Sequence, residues 1–126
     1  MNIKRLKDSI ALFKKELDGA LISSDIWDKA NGLSIASYNP NEKYVALFTR
    51  LMNNMDRDLE TIGFSAFGEY QLTDLEEDTM LLVVNFKGVY LWGSLLDKAK
   101  LSLGRLLFIA MPKAQESLKL AINDIE

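Results

Sequence analysis

The period of the hydrophobic pattern switches repeatedly along this chain, and the order of the switches leaves few folds open. Ile3, Leu6, Ile10, Phe13 and Leu17 recur every three or four residues between Lys4, Lys7, Lys14, Lys15 and Glu16, as in a surface helix that buries one stripe. Gly19 then supplies the left-handed stop such a helix commonly uses. Residues 20–27 and 33–38 are apolar and β-compatible, and the Asn31-Gly32 pair between them accepts positive φ cheaply, so they read as a hairpin. In Asn39-Pro40-Asn41-Glu42, Asn39 can cap a helix, Pro40 suits its first position and Glu42 falls where a capping box places its acid. Tyr44, Phe48, Leu51, Met55 and Ile62 mark one face of that helix, and Val45, Met52 and Leu59 an adjoining one, before it ends near Gly63. Its apolar surface is wider than one core-facing stripe requires, which fits equally a helix buried deep in its own core and a subunit interface.

The second half continues with strands. Residues 64–73 alternate loosely, Ala66, Gly68, Tyr70 and Leu72 against Ser65, Phe67, Glu69 and Gln71, as an edge strand would. Residues 79–86 and 89–96 are apolar on both faces and joined tightly at Lys87-Gly88, so they are central strands covered by helices on both sides. Asp97 can cap a last helix in which Leu103, Leu106, Leu107, Ala110, Ala114, Leu118, Ala121 and Ile125 keep helical spacing, with Pro112 as an expected kink. The expectation is one domain over residues 1–126, a five-stranded sheet between helices in the order α-β-β-α-β-β-β-α.

Composition narrows the function. At 126 residues and 48% hydrophobic, the chain can bury a core without disulfides, metals or obligatory partners. A net charge of -3 argues against sequence-independent nucleic-acid binding, which needs a dense Lys/Arg face. The absence of cysteine and histidine removes thiolate nucleophiles, Cys-based zinc sites and the commonest general base. The basic start, Met1 to Lys7, is not followed by a signal-peptide core, and no apolar run approaches the ~20 residues that span a bilayer. The expectation is a soluble, unprocessed, cytoplasmic interaction module with no nucleic-acid partner and no membrane insertion.

The candidates for chemistry are few. Asp74, Glu76, Glu77 and Asp78 offer carboxylates for a hard cation, and a metal-dependent enzyme would have to use them, but the run lacks the spacing of a calcium loop and reads as a solvated turn. Asp25 and Asp28 resemble an acid–base pair by spacing alone, and a structural role is preferred for both. The glycines fit neither a phosphate loop nor a dinucleotide fingerprint, so no nucleotide hydrolysis, cofactor or metal is expected. Arg50, Arg57 and Arg105 are each available as a finger for another protein's phosphoryl transfer. Trp27, Tyr90 and Trp92 read as core packing or a small exposed patch rather than as a ligand cavity or a stacking platform.

From about Leu17 to Leu118 the order of elements resembles the Roadblock family, the dynein light-chain and bacterial gliding-regulator group. The best local matches are Asn31-Gly32-Leu33-Ser34-Ile35-Ala36-Ser37 and Leu101-Ser102-Leu103-Gly104-Arg105-Leu106-Leu107, the latter similar to the family's approach to its last helix. The chain departs from the family in its longer hairpin loop, Asp28-Lys29-Ala30-Asn31-Gly32, and in Pro112. The resemblance implies a profilin-like α/β fold with an antiparallel sheet and a homodimer built on the middle helix and the third strand. Val45, Phe48, Met52, Met55 and Leu59 would form the dimer interface with Phe67, Glu69 and Gln71. It also implies a non-catalytic regulator or scaffold of a small Ras-like GTPase, presented with Arg50, Asn53, Asp56, Arg57 and Glu60. The alternative is a profilin-like or PAS-like small-ligand sensor, which needs a cavity with a few convergent polar groups.

Overall fold

The computed structural model describes residues 1–65 and 68–124. The elements are α1 (Ile3–Leu17), β1 (Leu21–Asp28), β2 (Ser34–Tyr38), α2 (Glu42–Thr61), β3 (Tyr70–Asp74), β4 (Thr79–Phe86) and β5 (Tyr90–Asp97). A short α3 (Leu103–Arg105) runs through a π-helical turn (Leu106–Ala110) into α4 (Met111–Asn123). The strands form a five-stranded sheet in the order β2-β1-β5-β4-β3, each neighbour antiparallel to the next. This is the α/β architecture expected, with β4 and β5 inside and β3 at an edge.

Strand alternation divides the core in two. Ile26, Leu82, Val84 and Trp92 face α1 and α4, meeting Leu6, Ile10, Phe13, Leu106 and Leu118. Trp27, Val83 and Leu91 face the other way, against Val45, Phe48 and Met52 of α2. Neighbours in sequence thus point to opposite layers, and apolar residues on both faces were the signal that both would be covered. The α1–α4 layer is also held by polar contacts: Ser9 Oγ donates to the Arg5 carbonyl and meets Ser117 Oγ, while Asn2 N–H donates to the Ala121 carbonyl at 2.9 Å.

Local details differ from the sequence reading. Asp18 (φ 46) takes the C-cap of α1, ahead of Gly19 (φ 89). α2 is capped by Asn41, whose side chain accepts from the Lys43 N–H at 3.0 Å, two residues later than expected. Asn39 instead adopts φ 50 and donates from Nδ2 to the Ile22 carbonyl, so Asn39-Pro40 forms the turn out of β2. The end of α2 follows the glycine signal closely. Gly63 N–H bonds to the Glu60 carbonyl and Phe64 N–H to that of Leu59, a Schellman stop that requires the positive φ of Gly63.

β3 starts at Tyr70 rather than at residue 64, and Phe67 lies outside the described residues, as do Ala66 and Ile125. Pro112 acts one turn upstream. It has no N–H to give and its ring crowds the carbonyl four residues back, and the helix widens so that Met111 N–H bonds to the Leu106 carbonyl.

Gly93 on β5 carries a constraint the sequence did not announce. A Cβ there would lie 2.7 Å from Trp27 Cη2 and 2.9 Å from Phe48 Cδ2, inside contact distance. Trp27 and Phe48 stack over this spot with ring centroids 6.2 Å apart. Gly93→Ala is expected to destabilise the chain by about 1–3 kcal/mol, the range for overpacking a filled core. Urea unfolding followed by tryptophan fluorescence checks this; an unchanged midpoint would show that α2 is free to lift off the sheet.

Candidate functional site

Helix α2 presents three different surfaces. Val45, Phe48 and Met52 are buried in the chain's own core, which corrects their assignment to a surplus apolar face: Trp27, Val83 and Leu91 already cover them. Met55 and Leu59 are half-buried. The exposed apolar residues are instead Tyr44, Leu47 and Leu51, one helical face around from the core stripe. The sequence carried that signal, since Tyr44 and Leu51 repeat at helical spacing, but period alone does not say which of two adjoining stripes meets the sheet.

The edge strand β3 pairs with β4 on one side only among the described residues. Gln71 lies opposite Val83, on the α2 side of the sheet, with its Oε1 buried and without a hydrogen-bond partner among the described residues. Glu69 is exposed, and its carbonyl accepts from the Asn85 N–H at 2.8 Å, extending the ladder by one step.

The third surface of α2 borders a groove of about 1100 Å³ against the β1–β2 hairpin. Arg50, Asn53 and Arg57 line it, so the structure brings together three of the five residues expected to contact a partner. Glu60 is exposed further along the helix, and Asp56 accepts from Lys29 Nζ at 2.9 Å. On the sheet side the groove meets Asp25, Ser34 and Ser37. A β-bulge sets this up. Ala36 pairs with Ile26 but Ser34 with Trp27, so Ile35 is the extra residue and Ser34 and Ser37, three apart, share the α2 side.

Asp25 is 5% exposed, and its Oδ1 accepts from Ser34 Oγ at 3.2 Å. Burial pushes its carboxyl above the ordinary 3.8, while the bonds from Ser34 and from the Asn41 backbone act in the opposite sense. In the sequence this residue is only half of a spacing pattern. Asp28 is not its partner: that carboxylate accepts from the Ala30 N–H at 2.8 Å and closes the hairpin loop.

Other candidate residues have structural roles. Lys98 Nζ donates to Asp74 at 2.6 Å and to the Leu75 carbonyl at 3.0 Å, tying the acidic turn to the end of β5. Among the described residues no three metal-ligating side chains converge. Arg105 donates to the Glu16 carbonyl and carboxylate, holding α3 to α1, and Arg57 donates to Asn54 within α2. Trp27 and Trp92 are buried in opposite layers, Trp92 donating from Nε1 to Ser24 Oγ, and Tyr90 is half-buried. Among the described residues no helix is long and apolar enough to cross a membrane.

No family model matches the sequence, and no curated protein does. Solved structures do match by shape. Myxococcus xanthus MglB superposes with a TM-score of 0.80 at 18% identity, over 95% of this chain and 89% of that one. A Roadblock/LC7 domain from Streptomyces avermitilis gives 0.62 at 10% identity, over 90% and 97%. Schizosaccharomyces pombe profilin gives 0.54 at 13% identity, over 81% and 88%. At these identities the likeness is one of fold: the chain has a Roadblock-like, profilin-like fold.

The buried carboxyl predicts a pH signature. With its folded value raised, the native state holds the Asp25 proton more tightly than the unfolded chain, so this contribution to stability is complete below the unfolded value and is lost as pH rises through the folded one. Asp25→Asn removes the titration but keeps the size. Wild type should therefore lose stability relative to Asp25→Asn as pH rises above the ordinary carboxylate value of 3.8, read as the difference in urea midpoints. A difference that stays flat over that rise would mean the carboxyl is not desolvated.

Proposed function

We propose that this chain is a single Roadblock-like domain that acts as a homodimeric, cytoplasmic, non-catalytic regulator or scaffold of a small Ras-like GTPase. The observation that carries the reading is the combination of an exposed apolar face on α2, Tyr44, Leu47 and Leu51, with an edge strand paired on one side only among the described residues, in a fold similar to MglB. An exposed apolar stripe on a helix whose core contacts are complete favours a second apolar surface. A two-fold dimer offers it the same stripe on another copy, and an open strand edge is managed by pairing across the same axis. The interface then comprises Tyr44, Leu47 and Leu51 with Met55, Leu59, Glu69 and Gln71. Arg50, Asn53, Asp56, Arg57 and Glu60 remain the surface offered to the GTPase.

Met52→Asp would place a charge in the core and does not test the dimer. Leu47→Asp with Leu51→Asp does, because both side chains are exposed in the single chain. Light scattering at micromolar concentration should show a dimer for wild type and a folded monomer for the double variant; a wild-type monomer would refute the assembly. Reversing Arg50 and Arg57 to Glu should leave the dimer intact but weaken capture of a GTP-loaded Ras-like GTPase, by roughly tenfold at low salt and less at high salt, as rim charges do. Unchanged capture across the salt series would put the contact elsewhere.

A further inference from the structure

The groove between α2 and the β1–β2 hairpin has an acidic end that neither the dimer nor the GTPase surface uses. Tyr44, Leu47 and Leu51 lie outside it, while Glu42, Ala46, Thr49, Arg50 and Asn53 line its helix wall. Its volume, about 1100 Å³, lies just above the usual range of small-molecule sites and suits a short length of chain. One end is acidic, where Asp25 lies beside the start of α2 together with Glu42. Arg50 follows Glu42 by two turns, about 12 Å along a helix axis. Arg57 lies two turns further on, and Lys29, also in the wall, already holds Asp56.

Asp25 makes the acidic end more than a patch of surface charge. It is nine-tenths buried and hydrogen-bonded only to neutral donors, the Ser34 hydroxyl and the Asn41 backbone, with no ion pair among the described residues. A desolvated carboxylate facing a cleft gains most from a cationic donor that brings its own hydrogen bonds, and guanidinium does this best. We propose that the groove binds an extended segment of a partner protein, one arginine of the segment pairing with Asp25 and an acidic residue four positions away pairing with Arg50. The spacing follows from strand geometry: four residues of extended chain cover about 13 Å and return the side chain to the same face. Asp25 is then held in an unfavourable site because its partner arrives with the ligand.

The probe is the peptide acetyl-Arg-Ala-Ser-Ala-Glu-amide, titrated into the full wild-type chain and followed by amide chemical shifts. The expected result is saturable binding that moves the amides of Ser37, Thr49 and Asn53. Replacing the arginine by neutral, isosteric citrulline should weaken binding at least tenfold, and Asp25→Asn should abolish the preference between the two peptides. Absence of saturable binding by wild type, or equal affinity for the arginine and citrulline peptides, overturns the proposal. The citrulline comparison uses wild type alone, so it decides the matter even where Asp25→Asn does not fold. Neither readout involves Leu47, Leu51 or a GTPase, so failure here leaves the regulator reading standing.

Discussion

Everything on the functional side of this molecule depends on the contact of Trp27 and Phe48 above Gly93. Helix α2 reaches the sheet through a small cluster, Val45, Phe48 and Met52 on one side and Trp27, Val83 and Leu91 on the other. The missing side chain at Gly93 lets the indole lie flat enough for Phe48 to stack on it. Because α2 touches the sheet along one stripe, its flanks remain free, and those flanks are the apolar face and the groove. A side chain at Gly93 would press on both rings and so alter both surfaces at once.

The architecture was legible because its signals are periodic and redundant. β4 and β5 could only be central, being apolar on both faces, and Gly63 marked the end of α2 because a left-handed residue is needed there. The failures were of another kind. Asn39 and Asn41 carry the same side chain two residues apart, and which of them caps α2 is decided by the Asn39 bond to Ile22, a contact between elements. Val45 and Phe48 belong to the core rather than to an exposed face, but two apolar stripes adjoin on α2, and periodicity cannot say which of them the sheet will cover. The groove was hidden more deeply still. It rests on a bulge at Ile35 that puts Ser34 and Ser37 on one side, and no residue type there signals an irregular pairing.

Asp25 shows how a site is recognised when no motif announces it. A carboxylate spaced three residues from another is unremarkable in sequence, and its spacing partner, Asp28, proves to serve the hairpin loop. What sets Asp25 apart is its environment: buried, bonded to neutral donors, and bordering a cleft whose opposite end is basic. Buried charges without counter-charges lower stability and persist where function needs them. By the same physics Asp74, Glu16 and Asp56 fall away, since all three have cationic partners.

The two layers of the fold divide the work. On one side of the sheet α1 and α4 close a continuous core from Leu6 to Ala121, pinned by Ser9 with Ser117 and by Arg105 with Glu16. On the other side, among the described residues, α2 is the helix that covers the sheet, with three buried residues. Elements with few buried contacts open at lower free energy than the rest, and surfaces that must accept partners are drawn from them. An insertion of charge into the α1–α4 layer would act on the whole fold, whereas changes on the outer faces of α2 would act on assembly and recognition. The asymmetry gives the chain a rigid half that maintains the sheet and a lightly attached helix whose free faces can be altered without unfolding it.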